Sequence, residues 1–394
     1  MAICSLAREG VRAPWAFSAA STTAPAIASI LTSRYPSWHG VSEHGDSALD
    51  PSMSTVAAIL QEAGYTTGAI VANPVLHPSR NFGRGFDVFE YRMTHRERNR
   101  PTLRERRAGE VTSAALAWVA VARGPWFLWL HYQDPHGPYE APDALRPRDA
   151  PDAAFLPVLG DETGFGGIPA YQVLPDIRSR EAYEAAYGNE IRHLDGEIQR
   201  LLEGFAALGA EPGILLTADH GEAFGEDGFY FAHGHSLGVE QLRVPFLWKP
   251  PLGRAPGVIP GVVSAVDVAP TLLDAAGIPS PKSFAGRSIF QESAASNRTL
   301  YAEDDASVVV VQGVELLEAP RRSSPASRAG HVSLPRYGSL GKDGAWVGYD
   351  ASGGEDLERA AEEFASRSVG RAVPLRVELE PETKAAIRAL GYAE

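Results

Sequence analysis

One cysteine, Cys4, stands in the whole 394-residue chain, so no internal disulfide can form and no multi-cysteine zinc site can be built. Stability must come from packing, and with 44% of residues hydrophobic a large core is within reach. Basic charge is in deficit. Thirty-six Lys and Arg face 49 Asp and Glu, a formal net charge of -13, which argues against general nucleic-acid binding because a phosphate backbone would be repelled. The densest basic stretch, Arg96 to Arg107 in "RERNRPTLRERR", is broken by Glu97, Pro101 and Glu105 and reads as a solvated surface helix or loop. No apolar run is long enough to span a bilayer. The strongest, "SAALAWVAVARGPWFLWLH", is interrupted by Arg123, Gly124 and Pro125 and reads as a helix followed by a buried strand, so no transmembrane helix is expected. The opening "MAICSLAREGVRAPW" carries no basic-then-apolar leader, so no export signal is read there and location stays open.

What is present is an alternation of short apolar runs with helical patterns, the mark of βα units and a mainly parallel sheet flanked by helices. Thr55 to Gly64 reads as a helix with a glycine C-cap, followed by the strand "YTTGAIVA". Glu110 to Ala122 reads as a helix feeding "WFLWLHY", and Ala182 to Leu208 as a long helix feeding "GILLTADHGE". In "VVSAVDVAPTLLDAAGIP", Asp267 before Pro270 signals a helix start. Residues 1–298 are expected to form this α/β domain. Residues 299–394, with the runs "SVVVVQGVELLEA", a Ser/Arg/Pro-rich loop at Pro320 to Arg336 and an acidic helix from Gly354 to Ser366, read as a small α+β subdomain. No internal repeat is evident.

Three stretches carry chemistry. In "LLTADHGEAFGEDGFYFAHGHS" an apolar strand delivers Asp219 and His220 to its end, where a carboxylate and an imidazole can share one cation, and His233 and His235 follow on a glycine-punctuated loop. In "WLHYQDPHGPYEAP", His131, Asp134 and His136 sit where a strand meets a proline-rich loop, suited to holding an anionic ester. Ligands bind beyond the carboxyl ends of such strands, so these residues are expected to share one crevice with Asp219 and His220. In "STTAPAIASILTSRYPSWHGV", Ser21, Thr22 and Thr23 present hydroxyls at a helix amino terminus, where backbone N–H groups favour an anion. Each piece alone has a plainer explanation: a helix-capping Asp, hydrogen-bonded histidines in an aromatic loop, an ordinary Ser/Thr cap.

Together the chain resembles the sulfatase family within the alkaline phosphatase superfamily. The resemblance rests on "LAREGVR", "TTAPAIASILTSRYPSWHGV", "ILQEAGYTTGAIVAN", "GFDVFEY", "HYQDPHGPY", "TADHGEAFGEDGFYFAHGHSLGVEQLRVPF", "VDVAPTLLDAAGIP" and "IRALGYAE", which span most of the sequence. It implies an alkaline phosphatase-like α/β fold and hydrolysis of a sulfate or phosphate ester of a small molecule, glycan or lipid. It also implies a divalent metal ion, calcium by family with manganese or zinc as alternatives. By that resemblance Thr23, two before Pro25, takes the nucleophile position and joins Asp219 and His220 on the metal. His131, His136, His233 and His235 then hold the sulfuryl or phosphoryl group, protonated imidazoles or a cation stabilising its negative charge.

Two departures shape the expectation. The family's nucleophile is a cysteine or serine converted to formylglycine, with an arginine two after the proline, whereas this chain has Thr23 and Ile27. Threonine cannot give that aldehyde, so a metal-bound Thr23 alkoxide attacking phosphorus in line is the better fit. Family members also begin with a strand ending in paired aspartates, tens of residues ahead of "LAREGVR", which this chain as written lacks. A sheet without that strand would expose unpaired edges, so the expectation is a longer protein, with weak metal binding and low activity in this chain. Two rivals remain: a degenerate relative that binds anions without turnover, and a serine esterase with Ser236 in Gly234-His235-Ser236-Leu237-Gly238.

Overall fold

The computed structural model describes residues 1–42, 46–142, 147–251, 256–291, 298–321, 334–340, 346–347, 354–367 and 372–379, with 381 and 384. The sheet layer is built from seven strands in two groups. In chain order these are β1 (Val11–Arg12), β2 (Thr66–Val71), β3 (Val88–Tyr91), β4 (Trp126–Leu130), β5 (Ile214–Thr217), β6 (Phe246–Lys249) and β7 (Gly257–Val258). One group runs β3-β2-β4, all parallel, with Thr66 opposite Trp126 and Gly68 opposite Val88. The other runs β7-β1-β6-β5, where β6 is antiparallel to both neighbours and β7 parallel to β1.

Helices cover both faces. On one lie α1 (Ala2–Glu9), α4 (Ala108–Val119) and the 28-residue α5 (Arg180–Ala207); on the other lie α2 (Thr23–Thr32), α3 (Val56–Glu62) and α6 (Val268–Ala275). Local chemistry explains their ends. The Thr55 side chain accepts from Ala58 N at 3.1 Å to start α3, whose C-cap falls on Ala63, and Ser179 accepts from Ala182 N at 3.2 Å to start α5. Asp267 closes a capping box with Ser264 just ahead of α6 and is buried against Arg298. Among the described residues no helix is long and apolar enough to cross a membrane.

After these comes an antiparallel meander of β8 (Thr299–Glu303), β9 (Ser307–Gln312), β10 (Glu315–Pro320), β11 (Arg336–Leu340) and β12 (Trp346–Val347), covered by α7 (Glu355–Arg367) through Leu357, Ala361 and Phe364. Its β8 to β10 side chains share a core with Phe17, Leu237 and Val262. Most of the Ser/Arg/Pro-rich stretch and the closing "IRALGYAE" lie outside the described residues.

Two expectations need correction. The basic Arg96 to Arg107 stretch is a surface element only in part: Arg96, Arg98, Arg104 and Arg107 are exposed, but His95–Arg96 and Arg104–Glu105 pair as a short antiparallel ribbon rather than a helix or loop, and Glu97, Arg100 and Arg106 are buried. Burial is tolerated because Arg100 grips Glu97 through two hydrogen bonds of 2.6 and 2.8 Å and lies 4.2 Å above the Tyr171 ring. The run "WFLWL" is not a buried strand either, since all five residues of β4 are partly exposed. Its outer edge has no neighbouring strand among the described residues.

Candidate active site

The residues that end β4, end β5 and begin α2 meet at one place. Thr23 is the first residue of α2 and is buried, as are Ser21 and Thr22. The Thr22 side chain makes no capping hydrogen bond, so this is not an ordinary N-cap. Thr23 Oγ1 lies 3.2 Å from His220 Nε2, and Asp219 Oδ2 lies 3.5 Å from the same nitrogen. His220 Nδ1 is 2.9 Å from the Gly221 carbonyl, which can only accept, so Nδ1 carries a proton and Nε2 is turned toward the threonine and the carboxylate. Burial opposes ionisation of Asp219, but His220, His131 and a hydrogen bond from Thr23 outweigh it and hold the carboxyl below its usual range.

The second half of the pocket is a group of imidazoles. The His233 ring packs on His220 with centroids 4.1 Å apart, and His136 stands 5.4 Å from His233. His131 continues the β4 ladder through its backbone N–H to Ile70 O at 3.0 Å, and its Nδ1 is buried without a hydrogen-bond partner among the described residues. Burial lowers the pKa of His131 and His233 and takes that of His136 to about 3, with neighbouring His and Arg100 charges adding to the shift at His136. At neutral pH these rings are uncharged in the free pocket, which corrects the expectation of protonated imidazoles. The Nδ1–H of His136 is committed to the Gly137 carbonyl 2.8 Å away, which leaves the N–H dipoles of the other rings and the amino terminus of α2 for an incoming anion.

His235 stacks flat on Phe229, with centroids 5.5 Å apart, at the margin of the imidazole group. Asp134 does not join the crevice: it accepts from Ala108 N at 3.1 Å, capping α4, and lies against buried Glu190; burial raises the pKa of both carboxyls, and Asp134 raises that of Glu190 further while the Glu190 hydrogen bond offsets part of the rise at Asp134. Ser236 is fully buried, accepts from Gln241 Nε2 at 2.7 Å, and precedes only a four-residue helix, Val239–Leu242. That geometry removes the nucleophile-elbow reading; the only histidine that follows Ser236 in the sequence, His331, lies outside the described residues.

Glu222 and Tyr139 were not singled out from sequence. Glu222 Oε1 lies 3.0 Å from His233 Nδ1, and its Oε2 accepts from the Tyr139 hydroxyl at 3.0 Å. Burial drives both members of the Glu222–His233 pair away from their charged forms. The signal was Glu222's position two after His220, which returns its side chain to the same pocket. Two glycines allow the loops to close. Gly234 has φ +78 and a Cβ there would fall 2.4 Å from Thr22 Cγ2; at Gly221 a Cβ would fall 2.1 Å from the Glu240 carbonyl oxygen.

As a cation site the donor set is one-sided. Donors bound to one divalent ion sit about 3 to 3.5 Å apart, which the Thr23, His220 and Asp219 spacings match. Among the described residues, however, no group of three or more His, Cys, Asp or Glu stands in ligating geometry. One carboxylate, one imidazole and one hydroxyl fit one face of a site. An imidazole among them suits manganese or zinc better than calcium, which takes six to eight oxygens.

An α/β layer with a hydroxyl, carboxylate and imidazoles at the carboxyl ends of its strands is of the alkaline phosphatase-like fold class. The chain belongs to the sulfatase family, whose model matches residues 2–278, a family that generally uses a divalent metal ion. It is 26% identical to steryl-sulfatase of Rattus norvegicus over 381 residues, 72% of this chain and 64% of that protein. It is 31% identical to choline-sulfatase of Rhizobium meliloti over 174 residues, 40% of this chain and 32% of that one. The chain thus spans less than two thirds of these curated relatives. Its fold is similar to the phosphonate monoester hydrolase of Agrobacterium radiobacter, with TM-score 0.66, 16% identity and coverage of 93% and 89%. It is also similar to a 2-O GAG sulfatase, with TM-score 0.70, 17% identity and coverage of 98% and 90%.

Proposed function

We propose that the pocket cleaves sulfate or phosphate esters of a small molecule, glycan or lipid, with Thr23 as the nucleophile. The observation that carries this is the Thr23–His220 contact of 3.2 Å, with His220 Nδ1 committed to the Gly221 carbonyl. In that arrangement Nε2 can accept the hydroxyl proton as Thr23 Oγ1 attacks phosphorus or sulfur. The bond to the ester oxygen breaks, the leaving alcohol takes up a proton, and water then releases the group from Thr23. The amino terminus of α2 and the N–H groups of His131 and His233 would face the spreading negative charge, while His136, its Nδ1–H committed to the Gly137 carbonyl, would line the substrate pocket through Nε2. His235 borders this set. Asp219, His220 and Thr23 would hold a divalent ion, manganese or zinc by donor chemistry and calcium by family; with His220 Nε2 committed to it, the ion rather than the imidazole would supply the activation, by lowering the hydroxyl pKa.

Thr23 cannot yield formylglycine, so a phosphate or phosphonate ester is the preferred substrate. The test is turnover of aryl sulfate, aryl phosphate diester and aryl phosphonate ester by the wild type and Thr23→Val, with acid-quenched samples searched by mass spectrometry for phosphorylated Thr23. Turnover that survives the valine would refute the assignment. The one-sided donor set favours a second reading, an anion-binding relative without turnover. Saturable phosphate binding with no turnover of any of the three esters would select it.

A further inference from the structure

The hairpin that delivers His233 does not support itself. Only Ala223 and Phe224 pair with Ala232 and Tyr230, across a register shift. From Gly225 to Gly234 five residues have positive φ: Gly225, Asp227, Gly228, Phe231 and Gly234. Glycine adopts such angles freely, but Phe231, at φ +53 and fully buried, is a bulky side chain in a conformation that L residues avoid. Strain of this kind persists only where the surroundings over-determine it. His233 stands two residues further on, so the direction of the chain at Phe231 sets where that ring goes.

One turn, Ala170–Gln172, holds Phe231 in place. The Tyr171 hydroxyl and Gln172 Nε2 both donate to the Phe231 carbonyl oxygen, at 3.0 and 2.9 Å, and fill its two lone pairs. The turn is itself braced. Asn99 Nδ2 donates to the Tyr171 carbonyl at 2.7 Å, and the Tyr183 hydroxyl, from α5, donates to the Gln172 carbonyl at 3.0 Å while its ring stacks on Phe231 with centroids 4.3 Å apart. The same two residues meet the other imidazole loop. The His136 ring lies tilted against Tyr171 with centroids 6.3 Å apart, and Gly137 comes so close that a Cβ there would fall 2.0 Å from Gln172 Cδ. Tyr171 and Gln172 thus touch both loops whose rings, His136 and His233, face each other at 5.4 Å.

The amide of Gln172 is costly where it stands. It is fully buried, and its Oε1 has no hydrogen-bond partner among the described residues. A leucine would fill the same space without an unmet acceptor, so what the amide adds is the donor to Phe231. We propose that Tyr171 and Gln172 are positioning residues of the anion pocket: their two donors hold Phe231 left-handed and so aim His233 at His220, while their contacts with His136 and Gly137 set the spacing of the two rings. This role rests on the reading of the imidazoles as the lining of an ester pocket, but its test needs no turnover.

Wild type is compared with Tyr171→Phe, Gln172→Leu and the double variant in two measurements. One is calorimetric titration with inorganic phosphate. The other is the ring nitrogen–proton NMR spectrum of protein labelled at histidine, with signals assigned from His39→Gln, His136→Gln and His233→Gln. Each single change leaves one donor on the Phe231 carbonyl and is expected to weaken phosphate binding by about twofold; the double change removes the last donor and is expected to weaken it by about tenfold or more. In the double variant the His233 and His136 signals should move, while that of His39, which contacts Ser29 and accepts from the Val41 N–H, should stay. A lower Tm with an unmoved His233 signal would make the contacts merely structural and overturn the proposal, as would unchanged phosphate affinity in the double variant of a wild type that binds phosphate. If Gln172→Leu fails to fold, Tyr171→Phe, which keeps the ring that Arg100 packs on, decides by its His233 signal alone. A wild type that ignores phosphate would count against the ester pocket itself, and the ring signals would still decide the role of the turn.

Discussion

Replacing Glu97 by Gln should destabilise the fold by about 3 kcal/mol. The two side chains of the Glu97–Arg100 pair are 1% and 8% exposed, and their two hydrogen bonds are 2.6 and 2.8 Å long. Burial, working against Arg100, holds the Glu97 carboxyl above its usual range, so the intact pair contributes little net stability. Losing one partner is different, because it strands a buried guanidinium, at about 3–5 kcal/mol. Glu162 at 3.7 Å and the Tyr171 ring at 4.2 Å recover part of this, which places the expected cost near the lower end. Urea unfolding followed by tryptophan fluorescence should show the midpoint falling by about 1 M for a slope of about 3 kcal/mol/M, with the slope unchanged. The double change Glu97→Leu with Arg100→Met should return to within about 1–2 kcal/mol of the wild type. A Glu97→Gln protein whose stability differs by less than about 0.5 kcal/mol would mean the ribbon behaves as a solvated surface, and the reasoning would fail.

Other consequences can be checked alongside. Gly234→Ala forces a Cβ against Thr22 at φ +78, so it should lower stability by about 1–3 kcal/mol and weaken phosphate binding, seen by calorimetry. Glu222→Gln should reduce kcat of the active protein about 10–100-fold by releasing His233, with Tyr139→Phe milder; equal kinetics for wild type and Glu222→Gln would make the contact merely structural. Burial takes His39 and His136 to about 3, so both stay neutral while folded and are protonated when unfolded below their ordinary value of 6.5. Their contribution is complete above pH 6.5 and is lost as pH falls toward 3, by up to about 1.4 kcal/mol per pH unit for each. His39→Gln should flatten that acid slope in pH-dependent urea melts; an unchanged slope would contradict the assignment.

How much was legible follows from how locally each feature is encoded. Helix α3 could be read because Thr55 caps one end and Gly64 follows the other, and the β2 and β5 strands because short apolar runs follow patterned helices. That Thr23, Asp219 and His220 would lie together was legible because each stands at the end of such an element. The burial of Arg100 was not legible, since it depends on Glu97 and Tyr171 arriving from a ribbon and a distant loop. Asp134 looked like a pocket residue beside His131 and His136, yet the cap of α4 claims it. Glu222 was overlooked because its partner, Tyr139, lies 83 residues away. The half-exposure of β4 could not be read from WFLWL, because composition reports apolarity and says nothing of how many neighbours a strand has.

Helix α5 has one further consequence. At 28 residues it is about 42 Å long, and it lies under both groups of strands. His131 and His136 ride on one group, Asp219 and His220 on the other, so this single rod acts as the ruler that spaces the carboxylate and its neighbouring imidazole from the far imidazoles. A bend in it would widen the gap between those two sets of side chains without touching any of them.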